Sequence, residues 1–167
     1  SNFYWMGWGV EKNLSKSLDW EKKAADLGYA RAMFGVALIY GKGEDGVPKD
    51  EKEAFNWMTK AAEQGHATAM NNLGEMYFEG RGTNQNFQAA NKWFLRAAEK
   101  DFPKAHQNLG YQYYNGSGVQ KDLERSFNYF LDAAKGGMPE SMNLVGVRYA
   151  SGEGVQQNYK EAINWFN

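Results

Sequence analysis

His66 and His106 are the side chains of this chain best suited to bind a metal or move a proton, and they stand 40 residues apart. A metal site needs several ligands whose spacing brings them to one point, as in His-Glu-x-x-His on a helix. Neither histidine has such company. Both are expected at exposed or rim positions, His66 in a loop and His106 on a helix. The paired carboxylates Glu51/Glu53 and Asp122/Glu124 could divide acid and base work between them. They fall at predicted helix starts, however, where negative charge complements the helix dipole. The Gly-x-Gly turns at Gly7/Gly9, Gly80/Gly82, Gly116/Gly118 and Gly152/Gly154 have the look of phosphate-cradling loops. A dinucleotide fingerprint follows a strand and opens a helix. Here a helical stretch comes first and the motif recurs at a fixed interval, so these are structural turns. Serines are sparse and sit at turns or packing positions, and no nucleophile, base and oxyanion donor can be grouped. No catalytic residue, cofactor or metal site is expected.

The interval is itself the strongest signal. Tyr40, Tyr77, Tyr113 and Tyr149 recur at spacings of 37, 36 and 36, each with a glycine three residues later (Gly43, Gly80, Gly116, Gly152). An aromatic follows at Trp57, Trp93, Tyr129 and Trp165, then an Ala-Ala pair at Ala61, Ala97 and Ala133. Such a period marks stacked repeats, each too small to bury its own apolar face. Within residues 67–102, Ala69, Leu73, Gly74 and Tyr77 make one helical stripe. Gly80 stands where a helix end favours a left-handed residue. Asn86 caps a second helix carrying Ala90, Trp93, Phe94, Ala97 and Ala98, with Trp93 expected in its core. The cap position reads Asn13, Asp50, Asn86, Asp122 and Asn158, and Glu53 and Glu161 stand at the capping-box spacing. The ends of these second helices read Gly28, Gly65, Asp101 and Gly137. Asp101 must either avoid the left-handed region or strain to reach it. Five caps and four stripes predict about nine helices, five of the second kind and four of the first.

The units run 1–29 (partial), 30–66, 67–102, 103–138 and 139–167 (truncated), read as one repeat domain. Because neither end carries a polar capping element, the chain is expected to be a piece of a longer protein. The alternative is natural ends covered by neighbouring molecules. The net charge is −1, from 19 basic and 20 acidic residues that are interspersed, with no basic block longer than Lys22-Lys23. A phosphate-backbone binder needs a concentrated positive face, so nucleic acid is not an expected partner. Cysteine is absent, which excludes disulfides and says nothing of redox compartment. No apolar run approaches the roughly 20 residues that span a bilayer, so membrane insertion is not expected. Cytoplasm, periplasm and secretion all remain open.

The order Ala-x-x-x-Leu-Gly-x-x-Tyr-x-x-Gly-x-Gly-Val, an Asx residue, Ala-x-x-Trp and Ala-Ala-Glu-x-Gly resembles the Sel-1-like repeat, a relative of the tetratricopeptide repeat with a longer turn. The match runs from Tyr4 to Asn167. Departures are small: Ala37 for the Gly of Gly74, Thr83 for the Val of Val47, and an extra residue in the Glu44-Asp45-Gly46 turn. The resemblance implies an all-α, right-handed α-solenoid of stacked antiparallel helix pairs, with the first helix of each pair lining a concave side. It also implies a scaffold or adaptor for protein complexes, in many cases bacterial.

First-helix positions that packing does not use are then expected to face a groove. They read Arg31, Phe34, Leu38 and Gly41; Thr68, Asn71, Glu75 and Phe78; Lys104, Gln107, Tyr111 and Tyr114; Glu140, Asn143, Val147 and Ala150. Aromatic anchors ringed by amides suit a peptide-binding surface, although Phe34, Leu38 and Phe78 would also serve as helix packing. The partner-binding set is Arg31, Phe34, Leu38, Asn71, Glu75, Phe78, Lys104, Gln107, Tyr111, Tyr114 and Asn143. The function expected is a non-enzymatic module that binds another protein's peptide or helix. The alternative is an accessory repeat segment of a larger enzyme, or of a bacterial effector or toxin-neutralising protein.

Overall fold

A computed structural model describes residues 13–43 and 46–166. The partial turn with Tyr4, Gly7, Gly9 and Val10, the Glu44-Asp45 insertion and Asn167 lie outside the described residues. All regular structure among the described residues is helical, in two compact units, Ser1–Gln85 and Asn86–Asn167. The first unit holds α1 (Leu14–Asp26), α2 (Ala30–Lys42), α3 (Glu51–Glu63) and α4 (Ala67–Glu79). The second holds α5 (Phe87–Ala98), α6 (Pro103–Asn115), α7 (Leu123–Lys135), α8 (Pro139–Ser151) and α9 (Tyr159–Phe166). Within each unit every helix packs on its neighbours in sequence. The even-numbered helices are the four first helices of the repeat and the odd-numbered ones the five second helices.

Local chemistry starts and stops these elements. Asp50 Oδ1 accepts the backbone N–H groups of Lys52 and Glu53 at 3.0 and 2.9 Å, satisfying donors that the first helical turn leaves unpaired. Asn86 and Asp122 each cap in the same way at 2.9 Å. The return half of the capping box is made differently from the sequence expectation. The backbone N–H of Asp50 donates to the Tyr40 carbonyl at 2.9 Å, and that of Asn158 to the Tyr149 carbonyl at 2.7 Å. Those tyrosines lie in the last turn of a first helix, where carbonyls lack intrahelical donors. One bond therefore ends one helix and positions the next, and Glu53 and Glu161 are not needed for it. At Asp101 the chain does enter the left-handed region, with φ 54°, the one non-glycine with positive φ among the described residues.

The core follows the small residues. Ala61, Ala62, Ala97, Ala133 and Ala134 are buried, with Leu73, Leu109 and Val145 opposite them on first helices. Gly110 lets α7 approach α6 closely, since a methyl group there would lie 2.8 Å from the Phe130 ring. Two of the recurrent tyrosines pack edge-on against the preceding second helix, Tyr77 on Phe55 at 5.2 Å and Tyr149 on Phe127 at 5.1 Å, whereas Tyr113 stacks on Tyr129 of the following one at 5.5 Å. Trp93 departs from expectation. Its ring is only half buried, with the Arg96 guanidinium 4.5 Å above it. The buried ring of α5 is the next residue, Phe94, at 2% exposure. At 100° per residue, the step from 93 to 94 separates the helix flank from its core-facing line.

Candidate partner-binding face

On the second unit, α6 and α8 bring four polar side chains into one network. Lys104 Nζ donates to Gln107 Oε1 at 2.7 Å, and Gln107 Nε2 donates to Glu140 Oε2 at 2.9 Å. The Tyr111 hydroxyl donates to Glu140 Oε1 at 2.6 Å, a charge-assisted bond and so a strong one. Residues 104, 107 and 111 recur at helical spacing on α6, while Glu140 stands in the first turn of α8. Burial is the largest cause that pushes the Tyr111 phenol up to about 12, with the hydrogen bond to Glu140 next. The same bond is the main reason that the Glu140 carboxyl lies below its ordinary value, with Gln107 and Lys104 adding to it. The phenol stays neutral, the carboxylate stays charged, and each holds the other in place.

Behind this network the Tyr111 ring meets Phe130 edge-on at 4.9 Å. The Arg148 guanidinium lies 4.6 Å from the Tyr114 ring and 5.0 Å from Phe130. Arg148 is only 4% exposed and pairs with Glu153 through Nη1 at 3.1 Å. A buried guanidinium between two rings gains cation–π attraction in place of lost hydration.

The expected site residues divide. Tyr111, Tyr114 and Lys104 are half-buried and come together around Glu140 and Arg148, and Asn143 is exposed on α8. In the first unit Arg31 and Leu38 are exposed, while Glu75 and Phe78 are half-buried. Phe34 stacks on the His66 ring at 4.8 Å. Two of the amides are not open surface at all. Asn71 is 2% exposed and donates to Glu75 at 3.0 Å, and Gln107 is 0% exposed. Gln107 occupies the seam toward the next first helix, where a long amide satisfies both neighbours. Each holds a carboxylate, Asn71 that of Glu75 and Gln107 that of Glu140.

His66 is not a free rim residue. Its Nδ1 accepts the Ala69 N–H at 3.2 Å and caps α4, and burial followed by the Arg31 charge lowers its pKa below the ordinary 6.5. Sequence reasoning missed Arg148, which stands directly before a recurrent tyrosine where Ile39, Met76 and Gln112 stand in the other units. A charge in that uncharged column was the available signal. Among the described residues no three His, Asp or Glu side chains are grouped to hold a metal ion. No helix of the described residues is long and apolar enough to cross a membrane.

The fold has counterparts among solved structures. The solved structure of a Sel1 repeat protein from Oxalobacter formigenes matches with TM-score 0.92 and 38% identity, over 99% of this chain and 68% of that one. A protective antigen present in uropathogenic Escherichia coli strains, displaying an SLR fold, matches with TM-score 0.94 and 36% identity over 99% of this chain. The chain spans 35% of that antigen's length. An immunity protein from Pseudomonas aeruginosa shares the fold at TM-score 0.58 and 21% identity, over 94% of this chain and 58% of that one. A comparison with curated proteins finds no match. The Sel1 repeat pattern itself matches residues 1–29, 30–66, 67–102, 103–138 and 139–167. With stripe, turn, cap and Ala-Ala pair recurring in that register, the chain belongs to the Sel1 repeat family.

Proposed function

We propose that this Sel1 repeat scaffold is a non-enzymatic interaction module that binds a peptide or helix of another protein on the first-helix side of its repeats. The observation that carries this reading is the Tyr111–Glu140–Gln107–Lys104 network beside Tyr114. An aromatic side chain and a carboxylate, both tethered before any partner arrives, lower the ordering cost of binding. Aromatic anchors of this kind dominate interface energetics. The interspersed charge and net −1 support a protein partner over nucleic acid.

The test begins with affinity capture and mass spectrometry to find a partner, followed by calorimetry on variants. Tyr111→Ala is expected to weaken that partner by about 2 kcal/mol, whereas Lys92→Ala, on an exposed side of α5, leaves affinity unchanged. Circular dichroism verifies that both variants are folded. Equal affinities for the two variants would sink this reading and turn attention to the second helices or the loops.

A further inference from the structure

Polar residues enter the buried columns of the repeat at several places in the second unit, and they fare differently. In α6 Gln112 stands where Ile39 and Met76 stand in earlier units, and it is buried. Its Oε1 accepts from Asn91 Nδ2 at 2.8 Å, and its Nε2 donates to the Phe87 carbonyl at 3.3 Å. Asn91 itself takes the place that Phe55 and Phe127 take in the neighbouring units, so the two amides come as a pair. Buried Ser126 is satisfied too, its Oγ donating to the Gly110 carbonyl at 2.8 Å.

In α8 two such intrusions lack this compensation. Ser141 takes the place of Ala32, Ala69 and Ala105, and Arg148 that of Gln112. Both are buried, and Ser141 Oγ and Arg148 Nε have no hydrogen-bond partner among the described residues. The residue in register with Asn91 is now Phe127, which has no acceptor to offer. Ser141, Val145 and Arg148 recur at i, i+4 and i+7 on one face of α8. On that face Val145 packs with Phe127, Phe130 and Ala134 of α7. Each unpaired atom there has given up hydration without a bond in exchange. The guanidinium has two rings beside it and one carboxylate, that of Glu153 at 3.1 Å, whose side chain is 40% exposed.

We infer that the seam between α7 and α8 is a weak joint, at which α8 opens from α7 and carries α9 with it before the rest of the unit unfolds. Glu153 is its latch, since the buried guanidinium loses its counter-charge when that carboxylate leaves. Local openings begin where contacts stabilise least, and two unpaired polar atoms on one helix face mark such a place. The shorter α9 has α8 as its main partner and moves with it. Opening also takes Glu140 away from Tyr111, because their bond joins α8 to α6. This consequence rests on the interaction reading above: the binding face is complete only while the joint is closed, and a partner spanning both helices holds it shut.

Native-state amide exchange of the whole chain, read by mass spectrometry without any partner, tests the joint. Amides of α8 are expected to exchange about tenfold faster than those of α7. Ser141→Ala and Arg148→Met restore residues of earlier repeats and should each slow α8 exchange about tenfold. Glu153→Gln should speed it by about the same factor while leaving α5 and α6 unchanged. Fraying from α9 alone leaves α8 as protected as α7 and insensitive to these substitutions, which overturns the proposal. Unaltered or faster α8 exchange in both Ser141→Ala and Arg148→Met overturns it as well. So does a Glu153→Gln variant in which every helix of the unit speeds up equally, because the opening is then global. These measurements involve no partner, so their failure is distinct from that of the binding face, which Tyr111→Ala tests separately.

Discussion

His66 shows how one side chain can cap a helix only in one protonation state. Its Nδ1 accepts the Ala69 N–H, which a protonated imidazole cannot do. Burial first and the Arg31 charge second hold its folded pKa below 6.5, so the folded state binds its proton later than the unfolded chain. Stability contributed by this residue is complete above pH 6.5 and is lost as pH falls from there through the lower folded value. Denaturant unfolding between pH 7.5 and 5 should show that decline, and His66→Ala should flatten it while costing about 1 kcal/mol at pH 7.5 through the lost cap. An unaltered pH slope in His66→Ala would assign the decline to other groups. Asp101 carries the opposite kind of residue-scale effect. It holds φ 54° where three other second helices end in glycine, and a left-handed L-residue costs about 1 kcal/mol. Asp101→Gly should recover part of that, read as a higher denaturation midpoint. Both residues were visible in the sequence. That His66 caps a helix was not, because the expectation for histidine concerned ligands and exposure, and histidine is an uncommon capping residue.

Among the helices, α5 separates what its pattern says from what its packing does. Trp93 and Phe94 are adjacent and both apolar, so periodicity alone does not choose between them as the core ring. Packing does: Phe94 is buried, and Trp93 lies on the flank beneath Arg96. Phe94→Ala should therefore cost about 3–5 kcal/mol, the range for deleting a buried ring. Trp93→Ala should cost clearly less, since its ring lies on the partly exposed flank of the helix. Thermal or denaturant midpoints of the two variants decide the order, and equal losses would refute it. The pair of α6 and α8 adds a coupling that no single helix encodes. Tyr111, Gln107 and Lys104 are spaced for one face of α6, but the carboxylate that organises them arrives on Glu140, 29 residues beyond Tyr111.

For the molecule as a whole, stability in a repeat array is distributed along the chain, because each unit contacts only its neighbours. In the second unit α7 packs on both α6 and α8, whereas the shorter α9 has α8 as its main partner. Ile163 and Phe166 of α9 are left 60% and 53% exposed. Amide hydrogen exchange should accordingly be fastest in α9 and slowest in α6 and α7, and equal protection of α9 and α7 would contradict this gradient. The parts of the architecture readable in sequence share one property. Asx caps, left-handed glycines and the Ala/Gly–Tyr stripe act through backbone groups a few residues away, so helix starts, helix ends and the repeat period are legible residue by residue. Family membership follows from the same local order. The state of each first-helix side chain depends instead on groups roughly 10–40 positions distant, brought close only by packing. Asn71 and Gln107 carry the amides of an open face yet are buried. Gly41 stands among the groove-facing positions yet leaves a cleft, and Arg148, which belonged to no expected set, lies buried between two rings. Local chemistry in the sequence determined the elements and their register, while burial, set by neighbouring helices, decided which side chains remain exposed.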